Sequence, residues 1–355
     1  MSLAAQFPDD ALEIFNDAFF RAVAQAGGVQ SQQFVLGGRV LQFDFAGPGL
    51  VARLAAPFQH LRLLSATPAD LVIRAWDSET TGVELPASLP SPGSIYAQSL
   101  PAMSDQGTRR WTYFRPDPGL TAYDSASRTG TYWVPAASCL TYGDVAGGFR
   151  AIIAWAMAEC GQQFLHSAAV AWDGRCALVV GASGSGKSST ALACLLAGLE
   201  YLGDDHCLLE LGEQPRVHAV YAAAKLHDAQ LTRFPELNEL VVNPGRVAPE
   251  KAVAILHPAF AAQLPVERPL AAVLVPRITG GPKTIVRPIR PAAALAALAP
   301  STLLQMASAD RRGLSAMAQL VRTVPCFALE LGTGREDVAA TVREFLAEFP
   351  PAAST

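Results

Sequence analysis

Basic residues are not in excess in this chain. Its 27 Lys and Arg against 31 Asp and Glu give a formal net charge of -4 and a pI near 5.9. No broad cationic surface follows, which argues against nucleic acid or an anionic membrane as the main partner. The six cysteines, Cys139, Cys160, Cys176, Cys194, Cys207 and Cys326, form no C-x-x-C pair and no zinc-ligand spacing, and several lie in apolar runs. They read as plain buried thiols. His206, His218, His227 and His257 also lack metal-ligand spacing and read as structural histidines. No apolar stretch reaches the roughly 18 residues of a membrane helix. The N-terminal MSLAAQFPDDALEIF carries acids and has neither a basic n-region nor an apolar h-region, so it is not expected to be a signal peptide. A reducing cytoplasm is the expected compartment. No repeat of solenoid period is present.

What is there is enough apolar sequence for two cores. Half of the 355 residues are hydrophobic (50%) and 16% are charged, the balance of a folded, globular chain. Asp9 to Ala26 spaces Ala11, Ile14, Phe15, Ala18, Phe19 and Ala22 as one face of a helix that ends at Gly27 and Gly28. From Phe34 to Val134 short strand-like runs take over: Val40 to Phe45, Leu71 to Ala75, Trp111 to Phe114 and Tyr132 to Val134. Leu85 to Met103, rich in Pro and Ser, reads as a long loop. Phe149 to Met157 is apolar almost all round, as in a helix buried between layers. Beyond it strand and helix alternate as far as a last helix, Gly334 to Phe349. The expected organisation is a smaller α+β domain rich in strands over 1–143, a candidate for acceptor recognition. An α/β domain with a mixed sheet is expected over 144–355.

Within the second domain, Gly181-Ala-Ser183-Gly184-Ser185-Gly186-Lys187-Ser188 fits G-x-x-x-x-G-K-[ST]. An apolar strand, Cys176 to Val180, precedes it and an apolar helix, Ser188 to Leu196, follows, which is the context a phosphate-binding loop requires. Glycines let successive backbone N–H groups turn inward around phosphate oxygens, and the helix adds the positive end of its dipole. Lys187 is expected on the β- and γ-phosphates and Ser188 on Mg²⁺, which prefers hard oxygen ligands. The implied ligands are a nucleoside triphosphate, ATP, and Mg²⁺.

Two neighbours are brought to this loop by local geometry. Asp173-Gly174 is a strong hairpin signal, and it makes Trp172 face Arg175. Continued antiparallel, that register sets His166 opposite Gly181. A histidine bonded to backbone at a strand end is the alternative reading, and a bulge would break the register. After the loop, a helix of about 11 residues descends on the order of 17 Å to Gly198, and Leu199 to Gly203 climbs back as a parallel strand. Asp204 and Asp205 then return to the phosphate edge. One carboxylate can hold Mg²⁺ while the other takes the proton of an attacking hydroxyl.

His166-Ser-Ala-Ala-Val170, the loop with its continuation Ser189-Thr-Ala-Leu192, and Gly198-x-x-Tyr-Leu-Gly-Asp204-Asp205 together resemble the catalytic domain of the HPr kinase/phosphorylase family and the wider HPr-kinase-like serine kinases. Those proteins share a nucleotide fold with phosphoenolpyruvate carboxykinase. The resemblance implies that Lys187 binds phosphates, with Gly181, Ser183, Gly184, Ser185, Gly186, Ser188 and Ser189 in the loop around them. It also implies that Ser188 and Asp204 serve magnesium, that Asp205 is the general base, and that His166 lies near the nucleotide. The specific likeness covers about 50 residues. A glutamate commonly follows the loop serine in HPr kinases, where this chain has Ser189, and the family's later Glu- and Arg-bearing signature has no counterpart here.

The expected activity is transfer of the γ-phosphoryl group to a hydroxyl of a peptide, small protein or small metabolite. The alternative is an ATPase or switch with no phosphoacceptor. The absence of an L-S-G-G-Q signature and of an N-K-x-D motif fits neither transporter-type ATPases nor ordinary GTPases. Lys225, Arg246 and Lys251 are read as solvated surface cations, with contact to a phosphate or acidic acceptor as the alternative. The acceptor and the oligomeric state, a homo-oligomer included, are left open.

Overall fold

The computed structural model describes residues 10–89, 103–106, 108–114, 119–305 and 311–350. Most of the expected loop Leu85 to Met103, and Asp9 with the N-terminal segment before it, lie outside the described residues. The chain forms two compact units, Met1–Ala156 and Met157–Thr355.

In the first unit, helix Ala11–Gln25 buries Ala11, Leu12, Phe15, Ala18, Phe19 and Ala22, the stripe its spacing predicts. It packs on an eight-stranded sheet made of β1 (Val29–Leu36), β2 (Arg39–Ala46), β3 (Arg62–Leu63), β4 (Leu71–Asp77), β5 (Met103–Gln106), β6 (Arg109–Phe114), β7 (Gly119–Asp124) and β8 (Thr129–Val134). The order is β3-β1-β2-β4-β8-β7-β6-β5, with β2, β4 and β8 parallel and the remaining pairs antiparallel. Successive side chains on β2 point to opposite faces. Ala46 joins Phe15, Trp76 and Trp133 in the core under the helix, while Phe43 and Phe45 meet Phe149 in a second aromatic group.

Helix Arg150–Glu159 explains where the first unit ends. Ile152, Ile153, Ala154, Trp155 and Met157 are all buried. Ile152 lies so close to Gly130 on β8 that a Cβ there would collide with it, and the Phe149 and Phe43 ring centroids are 4.9 Å apart. These contacts hold the chain in the first unit as far as Ala156, so the division falls within this helix, where the sequence reading set it at 143/144.

The second unit is α/β. Its nine-stranded mixed sheet contains β9 (Gln162–Leu165), β10 (Ser167–Trp172), β11 (Arg175–Val180), β12 (Glu200–Gly203), β13 (Cys207–Glu210), β14 (Arg216–His218), β17 (Glu267–Ile278), β18 (Ile285–Pro288) and β19 (Cys326–Leu331). The path is β12-β10-β11-β17-β14-β13-β9, and β19 pairs with β17 and β18. A separate pair joins β15 (Ala223–Leu226) to β16 (Ala252–Ile255). On one face Ala177 and Val179 of β11 join Leu192 and Leu195 of helix Lys187–Leu196 and Val342 of helix Arg335–Ala347. On the other, Leu178 and Val180 join Leu298 of helix Pro291–Gln305 and Leu320 of helix Arg311–Thr323. Covering both faces explains why β11 reads as a continuous apolar run without alternation.

The hairpin that leads into the glycine-rich loop has the predicted register. Trp172 pairs with Arg175 and Ser167 with Val180, with no bulge between β10 and β11. Asp173 and Gly174 have φ of 48° and 71°, the left-handed pair of a type I′ turn. Gly174→Ala adds a Cβ in that conformation and is expected to cost about 1 kcal/mol, read as a lower Tm. An unchanged Tm would mean that the turn does not set the register.

Candidate active site

The loop leaves the C-terminal end of β11 at Gly181 and enters helix Lys187–Leu196 through Gly186. Gly186 has φ 108°, a backbone conformation that favours glycine, and a Cβ there would meet the end of the Leu331 side chain. Ala182, Ser183 and Gly184 are exposed, whereas Lys187 is buried. The Lys187 Nζ donates to the carbonyls of Gly181 (2.8 Å) and Ala182 (3.2 Å), folding the lysine across its own loop. Its pKa is lowered by burial, against the pull of Asp204 and Asp205 and with a further push from Lys251. The buried Ser185 hydroxyl has no hydrogen-bond partner among the described residues, and the Ser189 hydroxyl accepts from Gln230 at 3.3 Å.

The carboxylates arrive as expected, with one topological difference. β12 pairs antiparallel with β10 and not with β11. Because β10 is antiparallel to both, β12 runs in the same direction as β11 and ends at the same edge, with Ala169 opposite Leu178 on one side and Gly203 on the other. The turn after β12 carries Asp204 and Asp205. Asp205 has φ 86°, an uncommon conformation for a residue with a Cβ and one that functional sites tolerate when their surroundings fix it.

The loop and the turn meet. The Ser188 side chain lies close enough to the Asp204 carboxylate to pull its pKa down, and Asp204 Oδ1 has no hydrogen-bond partner among the described residues. Burial and the adjacent Asp205 push the Asp204 pKa up to about 6, in spite of Ser188, Lys225 and Lys187. The neighbouring carboxylate goes the other way. Burial alone would raise Asp205, but His206, the hydrogen bond from His166 and Lys225 outweigh it and hold the carboxyl well below the usual range. His166 Nε2 lies 3.0 Å from Asp205 Oδ1, His206 Nδ1 lies 3.2 Å from Oδ2, and the Lys225 ammonium contacts Oδ2.

His166 therefore lies at the loop edge, but on Asp205, while its backbone N–H donates to Thr302 at 3.2 Å. Lys225 is a correction, because it is not a solvated surface cation: its side chain is 15% exposed and paired with Asp205. The signal was a lysine inside the apolar strand Ala223–Leu226, since a charge on a buried strand needs a partner. His206 too is buried, but against the site carboxylate. Arg246 is not a solvated cation either, since its side chain is 15% exposed and paired with Asp228, and His218 lies between Glu210 (2.7 Å) and Glu267 (2.9 Å) in a structural network.

No protein-family profile and no curated protein matches the chain. Among solved structures it is similar to the Hpr(Ser) kinase/phosphatase from Coxiella burnetii, at 12% identity over 52% of this chain and 88% of that one, with a TM-score of 0.30. At that score the likeness decides nothing about the site. No helix among the described residues is long and apolar enough to cross a membrane.

These residues fit a magnesium ion: an unpartnered, buried carboxylate oxygen stands beside a serine hydroxyl, both hard donors. No group of three or more His, Cys, Asp or Glu among the described residues could hold a metal by itself. Phosphate oxygens and water would supply the other ligands.

The raised Asp204 pKa makes a stability prediction. At about 6 it lies above the ordinary 3.8, so the folded form binds the proton more tightly than the unfolded one. The group costs nothing where both forms are protonated, below pH 4, and its full penalty of roughly 3 kcal/mol is reached above pH 6. Asp204→Asn is therefore expected to stabilise the nucleotide-free protein at pH 8 by up to about 3 kcal/mol, with the gain shrinking between pH 6 and pH 4. Chemical denaturation across that range reads it, and a destabilised variant at pH 8 would contradict the burial of an ionised Asp204.

Proposed function

We propose that the protein is an ATP-dependent kinase that transfers the γ-phosphoryl group to a hydroxyl of a peptide, small protein or small metabolite. The observation that carries this reading is the meeting of the loop with the carboxylate turn, where Ser188 and Lys187 both act on Asp204, with Asp205 beside it held by His166 and Lys225. A loop that only stored nucleotide would not require a buried carboxylate next to a half-buried one at its mouth, where their mutual repulsion is costly.

In this account the backbone N–H groups from Ser183 to Ser188 surround the phosphates. Lys187 exchanges its carbonyl partners for the β- and γ-phosphate oxygens, a small movement because its ammonium already lies within the loop. Ser188 and Asp204 would hold Mg²⁺, which when bound supplies positive charge against the phosphate oxygens. Those cations also favour the ionised Asp204 that a ligand role needs.

Asp205 orients the acceptor. A carboxylate has about four acceptor positions. His166, His206 and Lys225 use three. One remains for the acceptor hydroxyl. As the new O–P bond forms and the bond from the γ-phosphorus to the β–γ bridging oxygen breaks, the hydroxyl proton passes to Asp205 and ADP leaves with the bridging oxygen. A carboxyl held this far below the usual range is a weak base, so its contribution is chiefly alignment, which suits a loose transition state. The two histidines and Lys225 fix its plane.

Incubation with γ-labelled ATP and a panel of hydroxyl acceptors tests the reading. Label transfer is expected from the native chain and a loss of at least a hundredfold in Asp205→Asn, with ATP affinity retained. Release of free phosphate with no transfer would favour the ATPase reading. Lys187→Ala is expected to weaken ATP binding by at least about tenfold in calorimetry, and unchanged affinity would remove the loop from phosphate binding.

A further inference from the structure

A cleft of about 320 Å³ opens beside the glycine-rich loop, lined in part by Gly186. Its floor is the first turn of the loop helix, Ser189 and Thr190, and its walls include Phe234, Ile278, Arg233 and Arg335. Neither Asp204, Asp205 nor Lys225 lines it. A cleft of this size, mostly apolar with a few polar groups, suits a small flat ligand.

Arg335 is held in an unusual way. Its Nη1 and Nη2 donate to both oxygens of Glu236 at 3.0 and 2.6 Å, its Nε donates to Glu336 at 3.0 Å, and Nη1 also reaches the Arg233 carbonyl at 3.2 Å. The edge of the guanidinium is thus occupied by two carboxylates and a carbonyl. Little of its edge is left for a phosphate, and the guanidinium carbon lies over the Phe234 ring, 6.0 Å from its centroid, where both line the cleft. A fixed guanidinium plane is a stacking surface for a heteroaromatic base.

We propose that this cleft receives the base and ribose of the nucleotide, with the base stacked on Arg335 beside Phe234 and Ile278. The assignment rests on the nucleotide reading of the loop. A triphosphate lying along the loop with its γ-end toward Asp205 has its nucleoside end on the Ser189 and Thr190 side, where the cleft begins. Arg335 then acts in binding and specificity and takes no part in the chemistry.

Calorimetry with ATP and with inorganic tripolyphosphate, each with Mg²⁺, separates the two claims. The native chain is expected to bind ATP more tightly than tripolyphosphate. Arg335→Ala is expected to lose about tenfold in ATP affinity while tripolyphosphate affinity stays within about twofold, because stacking is lost and the phosphate cradle is not. Tripolyphosphate binding is the internal control for folding. Ile278→Glu, at a position 70% exposed and so tolerant of a charge, is expected to show the same split. ATP affinity unchanged in both variants, or ATP and tripolyphosphate affinities falling together, would overturn the cleft assignment. If ATP still requires Lys187 in that case, the loop reading stands without it. A native chain that binds neither ligand would overturn both.

Discussion

Two adjacent aspartates in one turn, Asp204 buried and Asp205 half-buried, repel each other, and the geometry of the site depends on how that repulsion is offset. Asp205 is held ionised by His166, His206 and Lys225, each contributed by a different segment. Asp204 has only Ser188 and the more distant charges of Lys225 and Lys187, and its pKa is pushed up to about 6. One carboxylate is thus enclosed by three protein partners while the other has few beside the glycine-rich loop. That asymmetry distinguishes the two side chains chemically although they are neighbours in sequence, and in the proposed function a metal and a phosphate chain would complete the electrostatics there.

The fold serves this arrangement through direction more than proximity. β11 and β12 do not touch, yet both run antiparallel to β10, so the loop after one and the turn after the other emerge at the same edge. β10 contributes at that edge as well, because His166 immediately precedes its first residue. The sheet is covered on both faces by helices whose apolar residues lock these three strands, and errors in strand position that would separate Ser188 from Asp204 are resisted by packing on each side. Lys225 comes from the separate pair β15 and β16, where Lys225 is opposite Val253.

What could be read from sequence divides along the range of the interactions. The loop, its flanking strand and helix, and the hairpin register were legible because each is fixed within about ten residues, the register by a two-residue turn that only certain residues adopt. The return of Asp204 and Asp205 was legible from helix and strand lengths, although the intervening position of β10 was not. Lys225 was missed because β15 pairs with a strand 25 residues beyond its end, and no local turn fixes that register. The cleft was invisible for the same reason, since Phe234, Ile278 and Arg335 come from three separate segments. The division between the two compact units falls within an all-round apolar helix, whose pattern does not say which core receives it. The contacts of Phe149 and Ile152 decide that.

The central claim is that the glycine loop and the carboxylate turn form one phosphate and metal site. A crystal structure with Mn²⁺ and a non-hydrolysable ATP analogue tests it most directly, because manganese is located independently by its anomalous scattering. The account predicts the manganese between the Ser188 hydroxyl and Asp204, with the Lys187 ammonium moved from the Gly181 and Ala182 carbonyls onto the terminal phosphates. A manganese bound away from Asp204, or a triphosphate lying outside the loop with Lys187 still on its own carbonyls, would contradict it.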